Sequence, residues 1–312
     1  MFLFLIPVPV LLAIFFTPFM STLVRYRANY EPRNVQLDGE NSQPIVDGYF
    51  SMLKRIYALE GWEGLYKGSL CWLCIQFLLY YLYSYLFLAV DYLVHAILPF
   101  RFASTLLFIA RMLYSLAVGI PTSVVLYRAV CTPYVLPYFS PGIALSVLLS
   151  PTERRKPWKL YFTPGLLILH FVLNTPVKAI ETSGTLVWHT VAGGHLALYL
   201  VAVLLTSVVL SPLPVMIIRL SLQRNHDYYD DSDPLISRPR TEGELAAHYG
   251  LRQYCNDSVI GLRDEDDPYT SLLDCFNRML HEESWRVFYR AYWATFFGQI
   301  QWLLYPILYY KV

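Results

Sequence analysis

Few residues in this chain are spaced for chemistry. Cys71 and Cys74 stand three apart in the stretch CWLC. Redox chemistry would need such a pair, but on an apolar helix that spacing reads as packing. His226, Asp227, Asp230, Asp231 and Asp233 offer nitrogen and carboxylate oxygens to a cation, yet their setting is that of an acidic, solvated linker. Asn256-Asp257-Ser258 spells a glycosylation acceptor, which has meaning only in a secretory lumen. Arg111 falls inside an apolar run, and Lys178 and Glu181 lie at i,i+3, where they pair near an interface. Five cysteines, an odd number, argue against a disulfide scaffold. The sequence offers no nucleotide-binding loop, metal-ligand cluster or nucleophile–base pair. An enzyme reading therefore has no residue to rest on. No cofactor, metal or nucleic-acid partner is expected.

The elements that carry these residues are greasy. Of 312 residues, 56% are hydrophobic and 15% charged, and the mean hydropathy is +0.40. A soluble domain carries about 25% charged residues. Seven Trp, 26 Tyr and 18 Phe suit lipid-facing helices with aromatic belts better than a modest core. A spanning helix needs roughly 20 apolar residues. Six runs qualify, at about 2–24, 69–97, 103–130, 163–190, 193–222 and 288–310. The first has no basic leader and no small-residue cleavage site, and it runs straight into Arg25 and Arg27. It is expected to be retained as a span, bent or interrupted at Pro7, Pro9 and Pro18. The fold class expected is an all-α membrane protein, one domain over 1–312.

Loop charges orient it. The long connections hold most of the bases: Arg33, Lys54, Arg55 and Lys67; Arg154, Arg155, Lys156 and Lys159; Arg238, Arg240, Arg252 and Arg263. The other connections are short, so the basic loops share one side and both termini the other. Residues 224–268 contain NHDYYDDSDP and RDEDDP and are expected to form an acidic, flexible insertion, in part disordered. That insertion is a possible contact for a protein partner.

One stretch recurs. EGWEGLYKG at 60–68 reappears as EESWRVFYRA at 282–291, with Glu283 on Glu60, Tyr289 on Tyr66 and Arg290 on Lys67. Ser284 stands for Gly61 and Ala291 for Gly68. RKPWKLYFT at 155–163 is a worn copy that keeps Tyr161 in register. Before the first copy, YFSMLKRIYALEG reads as an amphipathic helix ending at its glycine, and YTSLLDCFNRMLHEES does so before the third. The chain divides into three units of helix, loop with surface helix, helix, at about 1–97, 98–190 and 191–312.

These residues resemble the mitochondrial carrier family, whose three repeats each end in an acid-Gly, four residues, aromatic, basic, Gly motif. The resemblance covers essentially the whole chain. It implies a bundle of six transmembrane helices with threefold pseudosymmetry, short surface helices on one side, and a mitochondrial membrane, inner or outer. The family's other signature, Pro-x-acid-x-x-base, closes the cavity on the matrix side through ion pairs. Here the third copy keeps Arg219 and Gln223 after Pro214 but has Met216 at the acid position. The first has Arg25 and Arg27, with Met20 or Thr22 for the acid, and the second has Ser123 and then Arg128 after Pro121. The resemblance thus implies a degenerate gate: Arg25, Arg128 and Arg219 repel one another unless they reach water or anionic headgroups. The opposite gate is thin as well, with Asp91 lacking a base three later, Glu181 alone, and Tyr310 where an acid is usual.

Family substrate contacts lie about two turns past the motif glycine on each even helix. By position these are Ile75 and Gln76, His170 and Phe171, and Gly298 and Gln299. Gln76, His170 and Gln299 are the candidate contacts for a small-molecule substrate. They also fit a packing role, satisfying one another or backbone carbonyls between helices. Two functions follow from the resemblance. One is a divergent carrier moving a weakly charged or neutral solute, narrowly favoured by the polar triad. The other is a non-transporting platform of the outer mitochondrial membrane acting in fusion, lipid organisation or protein insertion. Membrane lipid surrounds the protein in either case.

Overall fold

A computed structural model describes residues 7–32, 46–182, 196–225, 242–264 and 267–299 of the protein. Helices occupy most of them, and among the described residues the extended structure is a single antiparallel bridge between Tyr134 and Gln253. α1 (Pro7–Ala28) starts on prolines that need no N–H in a first turn and continues through Pro18. α2 (Tyr49–Leu65) buries Tyr49, Met52 and Ile56 on one face. Its regular helix is interrupted at Gly61, whose φ of 67° is left-handed. α3 (Ser69–Ile97) and α4 (Phe100–Cys131) are the longest helices.

After α4 come α5 (Pro141–Leu148) and α6 (Pro151–Arg155), then a 3-10 turn over Pro157–Phe162 and α7 (Leu166–Thr182). The apolar run 193–222 becomes two helices, α8 (Leu196–Leu210) and α9 (Pro212–Leu222), divided at Ser211 where Pro212 and Pro214 remove two backbone donors. α10 (Glu242–His248) and α11 (Leu272–Glu282) follow, then a 3-10 turn at Trp285–Tyr289 and a helix over 292–299. Ser271 caps α11 by accepting the Asp274 N–H at 3.1 Å.

Two stretches among the described residues are long and apolar enough to cross a membrane, Phe102–Cys131 and Val203–Leu222. Parts of the other expected spans, 183–195 and 300–312, lie outside the described residues. On α1 and α8 several hydroxyls are buried while large apolar side chains are exposed, the reverse of a water-soluble helix. α1 buries Thr17, Ser21, Thr22 and Arg25 and exposes Ile14, Phe15, Phe16 and Phe19. α8 buries Ser207 and exposes Val201, Leu204, Leu205 and Val209.

α4 packs most extensively on α7 and also meets α1, α3 and α9. One core cluster joins α4, α7, α9 and α11 around Ile120, Leu169, Ile217 and Met279. A second joins the ends of α1, α4 and α9 through Ala28, Cys131 and Ile218 to Met52 and Ile56 of α2. Val259 and Ile260 belong to that second cluster. Within the expected insertion at 224–268, the part 242–264 thus has apolar side chains packed on the helix ends. Apolar residues within the acidic stretch give that half a core to join, which composition averaged over 45 residues conceals. Residues 226–241, with the His226 and Asp227–Asp233 group, lie outside the described residues.

Candidate functional site

Arg25, Arg128 and Arg219 each stand three residues before the end of their helix, on α1, α4 and α9. A helix leaves its last carbonyls without partners, and a cation there also meets the negative end of the dipole. The three guanidiniums use this reciprocally. Arg25 Nε donates to the Val130 carbonyl at 3.0 Å, Arg128 Nε to Ser221 at 2.9 Å, and Arg219 Nε to Arg27 at 3.3 Å. Each acceptor lies two residues beyond the next arginine, so the bonds run in a closed cycle around the three helix ends. Arg128 Nη2 adds Gln223 O at 2.7 Å, and Arg219 Nη2 adds Asn29 O at 2.8 Å.

Each arginine also closes onto a buried glutamate from the segment that follows its helix. Arg25 Nη1 reaches Glu60 Oε2 at 2.7 Å, and Arg25 Nη2 reaches Gly64 O at 2.9 Å. Arg128 holds Glu153 in a fork, Nη1 to Oε2 at 2.6 Å and Nη2 to Oε1 at 3.0 Å. Arg219 grips both oxygens of Glu283. The expectation of three mutually repelling arginines is overturned. Their carboxylates arrive from the segments that follow each helix instead of from the helix position occupied by Thr22 or Met20, Ser123 and Met216.

Further cations finish the arrangement. Lys67 Nζ donates to Glu60 Oε1 at 2.7 Å and to Thr132 O at 2.8 Å, beneath the Tyr254 ring at 4.0 Å. Arg290 binds the Asn29 carbonyl and Glu31, the latter at 2.8 Å. Burial and the nearby Arg25 charge bring the Lys67 pKa down to about 8, against the opposing pull of Glu60. Burial pushes Glu153 upward, but Arg128 and the backbone donors of Asn225 and Ser150 outweigh it and hold the carboxyl below its usual range.

The second segment departs from the expected alignment. Its acid, Glu153, precedes the stretch 155–163, and its left-handed glycine is Gly165, with φ 79°, where the alignment has Thr163. Gly68 and Ala291 share that left-handed backbone at φ 77° and 51°, each just before a helix. Ser284 takes φ 132° where the first copy has Gly61. Tyr66 is half-buried against the α2 cluster, and Tyr289 is partly exposed. Glu153 was legible locally: Ser150 and Glu153 form a reciprocal capping box, Ser-x-x-Glu, at the start of α6. Its role as the partner of Arg128 was not, because the acid stands 12 residues before Gly165, while Glu60 stands 8 before Gly68.

The proposed substrate contacts are placed as follows. His170 is buried on α7 with Nε2 3.2 Å from Ser123 Oγ of α4, and that hydroxyl also donates to Ile120 O at 2.8 Å. Gln299 Oε1 accepts from Thr206 Oγ1 at 3.0 Å and from Ser207 Oγ at 3.1 Å, both on α8. Gln76 lies on α3, and its side chain is outside those described. The two described groups thus pair with hydroxyls of other helices, not with each other. Phe171 is exposed and Ile75 half-buried.

Asp91 has a partner that its local pattern does not suggest: Arg111 of α4, at 3.5 Å, with His95 at 3.8 Å. Cys71 is half-buried and Cys74 exposed, and Asn256 is exposed in its loop. No family model, curated protein or solved structure matches this chain.

Proposed function

We propose that this protein is a divergent mitochondrial-carrier-like integral membrane protein, with six spans in three repeats and its short helices on one side. The cyclic arginine ring carries this reading. Three arginines three residues from their helix ends, each bonded two residues past the next, form a threefold relation that one repeated unit would generate. Apolar faces turned outward and hydroxyls turned inward on α1 and α8 support a lipid surround. A mitochondrial membrane, inner or outer, comes from the motif resemblance alone.

For its role, the geometry best supports a held bundle that serves as a membrane-embedded platform. A carrier must visit two states separated by no more than a few kcal/mol. At the ring end, opening would strip three buried ion pairs and their carbonyl bonds, and breaking one buried pair costs about 3–5 kcal/mol. At the other end the described offset is the half-exposed Asp91 with Arg111 at 3.5 Å. A surface pair of that kind contributes at most about 1 kcal/mol.

Solute movement is the second reading, favoured by the polar contacts His170–Ser123 and Gln299–Thr206/Ser207 between helices of the bundle. Reconstitution into liposomes with a metabolite panel separates the two. The platform reading expects no uptake above protein-free liposomes. Uptake that wild type supports and His170→Leu abolishes would establish carriage instead. No catalytic step belongs to either reading.

A further inference from the structure

Residues 242–264 run across the helix ends that the arginine ring joins. At the end of α1, Gly261 N donates to Asn29 Oδ1 at 2.7 Å, and Tyr30 N donates to Gly261 O at 2.9 Å. At the end of α4, Tyr254 N donates to Pro133 O at 3.1 Å, Val135 N to Arg252 O at 2.8 Å, and Thr132 Oγ1 to Glu242. Just past α9, Arg224 Nη2 reaches Glu242 Oε2 at 2.8 Å. On α2, Arg55 donates to Val259 O at 3.0 Å and to Ser258 O at 2.9 Å. Val259 and Ile260 fill the space among Ala28, Met52, Cys131 and Ile218.

Three positions tie these anchors to the ring. Asn29, Thr132 and Gln223 each stand four residues after a ring arginine. Each gives its backbone carbonyl to a ring cation: Asn29 to Arg219, Thr132 to Lys67, and Gln223 to Arg128. Asn29 and Thr132 turn their side chains to 242–264, Asn29 to Gly261 and Thr132 to Glu242, while Gln223 turns to Tyr269 beyond it, through two bonds of 3.1 Å. Ring and covering segment therefore share Asn29 and Thr132, and one cannot shift without disturbing the other.

We propose that residues 242–264 are a strap that locks the ring end of the bundle, so that the ends of α1, α4 and α9 part only after the strap lifts. Its own structure is thin, one short helix and then irregular chain with Arg252, Gln253, Asn256 and Asp257 exposed. A segment with few internal bonds opens at lower free energy than the helices beneath it. The inference deepens the reading above by naming what holds the bundle. It rests on the bundle alone and not on any solute, so a failed uptake assay leaves it standing.

Cys131 is the reporter, a buried thiol at the end of α4 in the cluster that Val259 and Ile260 cover. The full chain, with Cys71, Cys74, Cys255 and Cys275 changed to alanine, is treated in detergent micelles with a water-soluble maleimide. Glu242→Ala combined with Tyr254→Ala is expected to speed labelling of Cys131 about tenfold. A second protein keeps Cys74 as its sole thiol, and its labelling rate is expected to stay unchanged. Should the double variant fail to fold, a protease site inserted at the exposed Tyr249–Gly250 turn allows the strap to be cut after folding, with labelling followed before and after. An unchanged Cys131 rate in the folded variant or the cut protein overturns the strap. So does an equal rise at Cys74, which would mean general loosening.

Discussion

Arg219 donates its Nε to the backbone carbonyl of Arg27, 192 residues earlier in the chain, at 3.3 Å. That bond closes the cycle begun by Arg25 with Val130 and continued by Arg128 with Ser221. It ties the last long segment to the first. Folding of this end is therefore expected to be cooperative over the whole chain.

Removing one cation leaves a buried carboxylate alone. Arg128→Met is expected to destabilise the protein by about 3–5 kcal/mol, because Glu153 has a fully buried side chain. Combining it with Glu153→Leu is expected to cost less than the two single changes added, since the uncompensated charge goes too. Denaturant unfolding in detergent, followed by tryptophan fluorescence, reads the coupling. Strict additivity would mean that the pair does not interact.

Acid tests the same carboxylate. The Glu153 pKa lies below that of the unfolded chain, so the unfolded state takes up more protons as the pH drops, and stability falls with it. The contribution is complete above the ordinary value of 4.5 and is lost as the pH passes down through the folded value. Glu153→Gln is expected to start less stable at neutral pH and to lose less on acidification. Melting temperatures for both proteins across that window decide the point, and parallel acid losses would count against it.

Three left-handed positions are expected to respond differently. A Cβ on Gly165 would lie 2.6 Å from Leu272 Cβ and 3.2 Å from its Cα, which cannot yield without moving α11. On Gly68 it would lie 2.7 Å from Val130 Cγ2, the end of a side chain. Gly165→Ala is therefore expected to destabilise more than Gly68→Ala. Ala291→Gly is expected to stabilise by about 1 kcal/mol, because φ 51° is strained for alanine. Likewise Gly68→Val is expected to cost more than Ala291→Val. The order of melting temperatures checks all five variants.

His170→Leu is expected to change stability by roughly 1 kcal/mol, the size of one hydrogen bond. Ser123 keeps its bond to Ile120 O, so no hydroxyl is stranded. A loss several times larger in a denaturant melt would mean that His170 holds more of the bundle than its Ser123 contact.

Arg55 of α2 bonds the Ser258 and Val259 carbonyls, so the loops after α1 and α9 lie on one side. Single cysteines replacing Lys54 and Arg252, both exposed, are expected to react with an impermeant reagent from the same face of a sealed organelle. Labelling from opposite faces would remove the six-span arrangement.

Much of this was legible in the residues. Apolar length marked the helices over 69–97 and 103–130, which fold as α3 and α4, because a long run with few charges satisfies its backbone most simply within itself. Gly61 and Gly68 marked their left-handed turns, since no other residue takes that backbone cheaply. These are local matters, settled within a few residues of chain.

What pairs with what was a tertiary question. Met20 or Thr22, Ser123 and Met216 made the arginines look unpartnered, because a motif is read along one helix while a guanidinium samples every element around it. Glu60, Glu153 and Glu283 stand 35, 25 and 64 residues from their arginines, spacings that no single pattern spans. Asn29 and Thr132 are unremarkable in sequence. They became ring residues only when three helix ends were brought together, because a carbonyl's value as an acceptor depends on which cation folding places against it. In the same way the acidic character of 224–268 suggested a flexible insertion and gave no sign of where 242–264 would pack: Val259 and Ile260 fill an apolar gap at the ends of α1, α4 and α9 that exists only in the folded protein.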